Sequence, residues 1–164
     1  MEENQLLAEI QTIIETGSED DRNVLKSVVQ GIRTKQRGEH RTYLSGITHV
    51  NHRFLDDGTF EVTIPIQPLI ENPLKMAHGG ITATVLDTAM GSMLNLKAPE
   101  NTAYVTAELK VNYIQPGRGK HLRCIATILH QGKQLSFSEA KVYNDDNKLI
   151  ATGSGTFFAI PLSS

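Results

Sequence analysis

Apolar residues recur at helical spacing in the first part of the chain. Leu6, Leu7, Ile10, Ile13 and Ile14 mark one face with Glu9 and Glu15 opposite, and Val24, Leu25, Val28, Val29 and Ile32 repeat the pattern. Apolar positions at i, i+3, i+4 and i+7 predict two amphipathic helices. Gly17 is placed to stop the first. Ser18-Glu19-Asp20-Asp21 offers the second an N-cap with acids in its first turn. Two helices alone bury too little, so they are expected to pack on a larger body.

From Tyr43 the period changes to two. Phe60, Val62, Ile64 and Ile66 alternate with Glu61, Thr63 and Pro65. Asp56-Asp57-Gly58 reads as a hairpin turn between strands at 43–54 and 59–66. After a loop from Gln67 to Lys75, the stretch Ala77 to Leu96 contains only two ionisable side chains, His78 and Asp87. It predicts a helix over about 79–95, apolar on all sides and too short to span a bilayer, hence buried in a core. Four strands are expected near 102–114, 119–131, 134–144 and 147–159. The segments between them, Pro116-Gly117-Arg118-Gly119, Gln131-Gly132-Lys133-Gln134 and Asn144-Asp145-Asp146-Asn147, carry turn residues. Short connections predict consecutive antiparallel neighbours. The pattern is α+β: a curved antiparallel sheet wrapped around one long central helix, with extra N-terminal helices. Two regions are expected, a helical extension over 1–37 and a main domain over 38–164.

Composition narrows the partners. At 164 residues with a net charge of −2, the chain suits one core and gives no reason to invoke nucleic acid or an anionic membrane. The acidic start Met1-Glu2-Glu3 is not a signal peptide, and no apolar run reaches membrane-spanning length. The single cysteine, Cys124, has no internal disulfide partner and reads as a small residue of a strand, compatible with a reducing cytoplasm. The basic run Arg33, Lys35, Arg37 and Arg41 is either a solvated loop or a contact for a phosphate-bearing ligand or partner subunit.

The candidate chemistry lies around the apolar helix. The first N–H groups of a helix lack internal partners and sit at the positive end of its dipole. Gly79-Gly80 would let a carbonyl approach them closely, making an oxyanion-type site, or would merely form a tight turn. A lone carboxylate in an apolar helix is costly unless its environment uses it. Asp87 is therefore a candidate catalytic acid, or a structural one bonded to Thr84, Thr88 or Ser92. It lies eight residues beyond Gly79, about 12 Å along the axis at 1.5 Å per residue. If both features are catalytic, they serve one reacting centre only when supplied by different chains, which argues for a dimer with shared sites. His78 is open as general base, donor or loop-packing residue. Asn72 is open as a group that orients a water or carbonyl, or as a loop cap. No His/Cys/Asp/Glu set has metal-ligand spacing, so no metal is expected, and phosphate-loop, dinucleotide and Gly-x-Ser-x-Gly fingerprints are absent.

Several of these residues recur in one family. Asn72, the triplet His78-Gly79-Gly80, Asp87 within Leu86-Asp87-Thr88-Ala89, the strand Val105 to Tyr113 leading to Gln115-Pro116, and His130-Gln131-Gly132-Lys133 occur in a shared order. Over about Tyr43 to Ile160 the chain resembles the hotdog-fold acyl-CoA thioesterases, most closely the phenylacetate-pathway and human mitochondrial-associated group. The resemblance implies a homodimer, often paired into a homotetramer, with active sites at the dimer interface. It implies that Asp87 activates water as general base or attacks the thioester as nucleophile. Gly79 would polarise the thioester carbonyl through its N–H from the other subunit, with Asn72 and His78 lining the site. Thr106 would help place water.

Two features depart from the family pattern. Relatives often have glycine where this chain has Lys75, and residues 1–37 exceed the minimal domain. By position and charge, Arg118, Lys120 and Lys133 are candidates for the CoA phosphates, or else solubilising charge. The expected reaction converts an acyl-CoA and water to a free acid and CoA, with no cofactor, because CoA is part of the substrate.

The main alternative is a non-catalytic acyl-CoA-binding sensor, against which the acids Glu2, Glu3, Glu9 and Glu15 of the first helix argue if DNA is its target. A hotdog dehydratase would show a His-plus-acid signature that is missing here. Aromatic and medium-chain acyl groups, and CoA or acyl-carrier-protein thioesters, all remain compatible with the residues.

Overall fold

The computed structural model describes residues 2–162 and divides into two compact units. The first runs up to His49 and adds Gln67–Leu69; the second takes Val50–Ile66 and the chain from Ile70. The expected boundary after residue 37 falls inside the first unit.

In the helical unit, α1 spans Glu3–Thr16 and α2 spans Glu19–Gln36. Ser18 makes the expected start for α2. Its hydroxyl accepts from the Asp21 N–H, and the Asp21 carboxylate accepts from the Ser18 N–H, a reciprocal capping box. The Ser18 hydroxyl also holds the Asp21 carboxyl below its ordinary pKa.

The strand expected over 43–54 is a strand only at its end. Tyr43–Ile47 forms a short helix, α3, and only Asn51–Phe54 is extended, as β1. A second capping box, Thr42 with Ser45, starts α3. Its Gly46 lies directly against Gly31 of α2, where a Cβ on Gly31 would come 2.5 Å from the Ile47 backbone. Local capping and a close glycine contact outweigh the alternating pattern there. His49, with φ 52°, reverses the chain after α3. Its Nε2 lies 2.7 Å from the buried Ser27 hydroxyl, which also donates to Gln67 Oε1 at 3.0 Å.

The second unit carries the sheet. Its strands are β1, β2 (Phe60–Pro65), β3 (Thr102–Tyr113), β4 (His121–Gln131), β5 (Leu135–Tyr143) and β6 (Leu149–Pro161). They form one antiparallel sheet in the order β1-β2-β4-β5-β6-β3. The long helix, α4, is Gly79–Leu96 and packs against β2 to β6. This is the expected fold class: a curved antiparallel sheet around one helix, with added N-terminal helices.

The Asp56-Asp57-Gly58 turn does join β1 to β2, pairing Phe54 with Phe60. The expectation of consecutive neighbours fails for β3. It pairs with β6, at the far edge from β2, and its connection to β4 crosses the end of the sheet. The β5–β6 turn holds that crossing. Asn144 Nδ2 donates to the Arg118 carbonyl at 3.2 Å, and the Asp145 carboxylate accepts from the N–H groups of Lys120 and His121. These backbone bonds, led by that of Lys120, hold the Asp145 carboxyl below its ordinary pKa. The turn residues of Pro116-Gly117-Arg118-Gly119 therefore mark a crossover, which looks like a hairpin turn in sequence.

One face of α4 buries Val85, Leu86, Ala89, Met90, Met93 and Leu94 in a core shared with Phe60, Val62, Ile64 and Phe157 of the sheet it packs on. Each large side chain so buried is worth about 1.5–3 kcal/mol over exposure. Gly153 and Gly155 of β6 allow this approach, since Cβ atoms there would lie 3.1 Å from Leu86 Cδ1 and 3.3 Å from Met90 Cε. The helix is not covered all round, contrary to the expectation of a fully buried core helix. Its other face, Ala83, Thr84, Asp87, Thr88, Gly91 and Ser92, is small or polar and half-buried in the single chain.

Among the described residues, two buried hydroxyls, Ser136 and Ser138 of β5, have no hydrogen-bond partner. An unmet buried hydroxyl costs about 1–3 kcal/mol. Ser138→Ala should thus raise the melting temperature by about 2–4 °C in a thermal unfolding experiment; a fall would show that this hydroxyl is satisfied.

Candidate active site

Three polar contacts pin α4 to β3 along its length. At the N-terminal end, the Tyr113 hydroxyl donates to the Gly79 carbonyl at 2.9 Å. In the middle, the Thr106 hydroxyl donates to Asp87 Oδ1 at 2.7 Å. At the C-terminal end, Asn95 takes both backbone groups of Tyr104, donating to its carbonyl at 3.0 Å and accepting from its N–H at 2.9 Å.

Thr106 faces α4 because its cross-strand partner is the buried Phe157. The register of β3 shifts immediately after it, between Thr106 and Glu108. A bulge re-aims side chains, and bulges gather beside active sites. Asp87 is half-buried, and the hydroxyl it uses belongs to β3 and not to its own helix. One carboxylate oxygen is thereby fixed, which sets the direction of the other.

The start of α4 is equally constrained. His78 is the N-cap, and its Nδ1 accepts from the Gly80 N–H at 3.0 Å, so the ring is tied to the first turn. The preceding loop is fastened where it enters the helix. The Ala77 N–H donates to the Gly117 carbonyl and the His78 N–H to the Ile70 carbonyl, each at 2.9 Å. Asn72 shapes this loop: its Oδ1 accepts from the Leu74 N–H at 2.9 Å and its carbonyl from the Lys75 N–H at 3.0 Å. Lys75 has φ 54°, the left-handed region that favours glycine. The residue that departs from the family pattern thus keeps the backbone shape a glycine would supply.

The candidate site residues fall into two groups. Asn72, His78 and Gly79 gather at the N-terminus of α4, and Asp87 and Thr106 gather two turns further on. Gly79 and Asp87 share one helix and stay about 12 Å apart along it. Of the candidate cations, Arg118 and Lys120 lie on the β3–β4 crossing and are exposed. Lys133 lies beyond the other end of β4, an eleven-residue strand about 35 Å long. One chain therefore cannot bring all three to one phosphate. Cys124 is fully buried, and burial pushes its thiol pKa up, as suits an inert core residue.

Beside Gly79 lies a cleft of about 280 Å³, walled by Met76, Ala77, Tyr113, Ile114, Pro116 and Ile150. Tyr113 was visible in sequence only as the end of a strand. Its contact to Gly79 depends on β3 lying at the edge beside α4, which the local pattern did not indicate.

A model of the thioesterase superfamily matches residues 74–151, a stretch that holds His78, Gly79, Asp87 and Thr106 but not Asn72. Among solved structures, the chain is similar to the BH2602 protein from Bacillus halodurans, crystallised with CoA. The two are 45% identical, with 94% of this chain and 99% of that one covered and a TM-score of 0.86. It is also similar to acyl-coenzyme A thioesterase 13 of Mus musculus, 33% identical over 52% of this chain and 61% of that one. The medium/long-chain acyl-CoA thioesterase YigI of Salmonella typhimurium is 27% identical over 49% of this chain and 60% of that one. The chain thus spans about 60% of the length of these curated relatives.

Proposed function

Because the chain belongs to the thioesterase superfamily, we propose that it hydrolyses an acyl-CoA thioester to a carboxylic acid and CoA, in a homodimer whose two sites are each built from both chains. The observation that carries this reading is the separation on α4. An N–H donor for a carbonyl and a positioned carboxylate are both present, too far apart on one chain to act on one carbon. A two-fold operator that sets two α4 helices side by side can bring the start of each to the middle of the other. The edge of β3 supports such pairing. It is the last strand of the sheet, twelve residues long, and its outer edge has no strand partner among the described residues.

In this arrangement the thioester oxygen lies at the Gly79 N–H, where the dipole of α4 stabilises the negative charge that develops in the transition state. The partner's Asp87 either removes a proton from the water that attacks the carbonyl carbon, or attacks that carbon itself to give a mixed anhydride that water then hydrolyses, freeing the acid and restoring the carboxylate. Thr106 holds one oxygen of that carboxylate and leaves the other for water or substrate. The carbon–sulfur bond then breaks and CoA departs as thiolate. A thiol with a pKa near 8.5 leaves without a general acid, so His78 need not donate a proton. His78 and Asn72 instead keep the helix start in shape. Arg118 and Lys120, at the same end as Gly79, suit the CoA phosphates of one chain's site. Lys133 would have to come from the other chain. No further cofactor enters this scheme.

Release of free thiol from acyl-CoA substrates tests the reading. Turnover of at least one acyl-CoA is expected. Binding of acyl-CoA with no thiol release from any substrate would favour a sensor and refute hydrolysis.

A further inference from the structure

We infer that the N-terminal helices form a self-association surface: the acidic, apolar face of α1 docks on a basic, apolar stripe of α2 in a second copy of this chain, and the contact is returned across a two-fold axis. This pairing stands apart from the proposed hydrolysis and uses none of its residues.

α1 has an apolar face with nothing on it. None of its fourteen residues is buried. A helix of that length is marginal in water unless packing covers its apolar side. Leu6, Ile10 and Ile13 recur at i, i+4 and i+7, with Leu7 and Ile14 beside them, and Leu7 is 64% exposed. Every charged side chain of this helix and its N-cap is acidic: Glu2, Glu3, Glu9 and Glu15. The first lysine, arginine or histidine in the sequence is Arg22.

α2 carries the complement. Its buried residues, Ser27, Gly31 and Thr34, lie on the side where Gly31 meets Gly46 of α3. The opposite side presents Leu25, Val29 and Ile32, again at i, i+4 and i+7, and Val29 is 49% exposed. Arg22, Lys26 and Arg33 run along one border of this stripe at i, i+4 and i+11. From Arg22 to Arg37 the sequence has no acid.

Within one chain both stripes stay exposed. The Gly17-Ser18 link between the helices is held by the Gly17 N–H on the Ile13 carbonyl, by the Ser18–Asp21 capping box, and by Arg22 Nη1 on the Gly17 carbonyl. A second copy supplies the matching stripe in equal number. Like-charged borders disfavour α1 on α1 and α2 on α2, which leaves α1 on α2. The equal apolar repeats let the two helices interleave along one seam.

Cross-linking between full-length chains tests this. Leu7→Cys chains and Val29→Cys chains, told apart by tags, are co-expressed and oxidised under mild conditions. Both positions are exposed, and the buried Cys124 does not compete. The mixed disulfide should form about tenfold or more faster than either same-variant disulfide, because docking raises the effective concentration of the two thiols. Adding Lys26→Glu and Arg33→Glu to the Val29→Cys chain should return the mixed rate to that background. A mixed disulfide that forms no faster than the same-variant ones would overturn the inference. Fast linking that survives the charge reversal would overturn it too, since charge would then not select the pair.

Discussion

Asp87→Asn should reduce kcat/KM for acyl-CoA hydrolysis by about a thousandfold, the scale of a lost general base. The substitution is nearly isosteric. Its amide oxygen can still accept from the Thr106 hydroxyl, so the link from α4 to β3 and the fold persist. What disappears is the negative charge and the capacity to take a proton or attack carbon. KM should move little, since Asp87 acts on water or the carbonyl and does not bind the CoA moiety. The check is steady-state thiol release, with thermal unfolding to show that the variant is folded. Activity within tenfold of wild type would remove Asp87 from the mechanism.

Gly79→Pro should cost about 10²–10³ in kcat, the typical effect of losing one oxyanion donor. Position 79 is the first residue of α4, and proline is accepted there because its fixed φ suits a helix start and the missing N–H has no helical acceptor. The preceding His78 has ψ 137°, the extended conformation that a following proline requires. The helix should therefore survive while the N–H at its positive end is lost. Gly79→Ala is the companion variant. It retains the N–H, and its Cβ would sit 3.6 Å from the Tyr113 ring, an ordinary contact. Alanine should lose less activity than proline; equal losses would mean that the space at Gly79 matters and its N–H does not.

Much of this candidate site was legible along the chain because it is local. The pattern of one long uncharged helix with a single acid, begun by His78-Gly79-Gly80, required no knowledge of tertiary contacts. The second helix was legible for the same reason, since Ser18 and Asp21 cap each other across three residues. Long-range pairing was not legible. Nothing near Tyr113 indicates that β3 leaves its sequence neighbour for the far edge beside β6, because the decisive contacts come from Asn144 and Asp145. Thr106 could be named through the resemblance, but its bond to Asp87 follows from that edge position. The half-covered outer face of α4 also escaped the pattern. Ala83, Thr84, Thr88, Gly91 and Ser92 carry no charge, and small neutral residues read alike against a core or against a second helix.

Complementation between two disabled chains tests the shared site most directly. Asp87→Asn and Gly79→Pro chains, each carrying a different tag, would be co-expressed, and the mixed dimer isolated on both tags. If each site takes Gly79 from one chain and Asp87 from the other, the mixed dimer has one intact site and one doubly defective site. Hydrolysis should return to about half the wild-type rate per dimer. If both groups served a site within one chain, every site in the mixed dimer would lack one of them. Activity would then stay at the level of the single variants, contradicting the account.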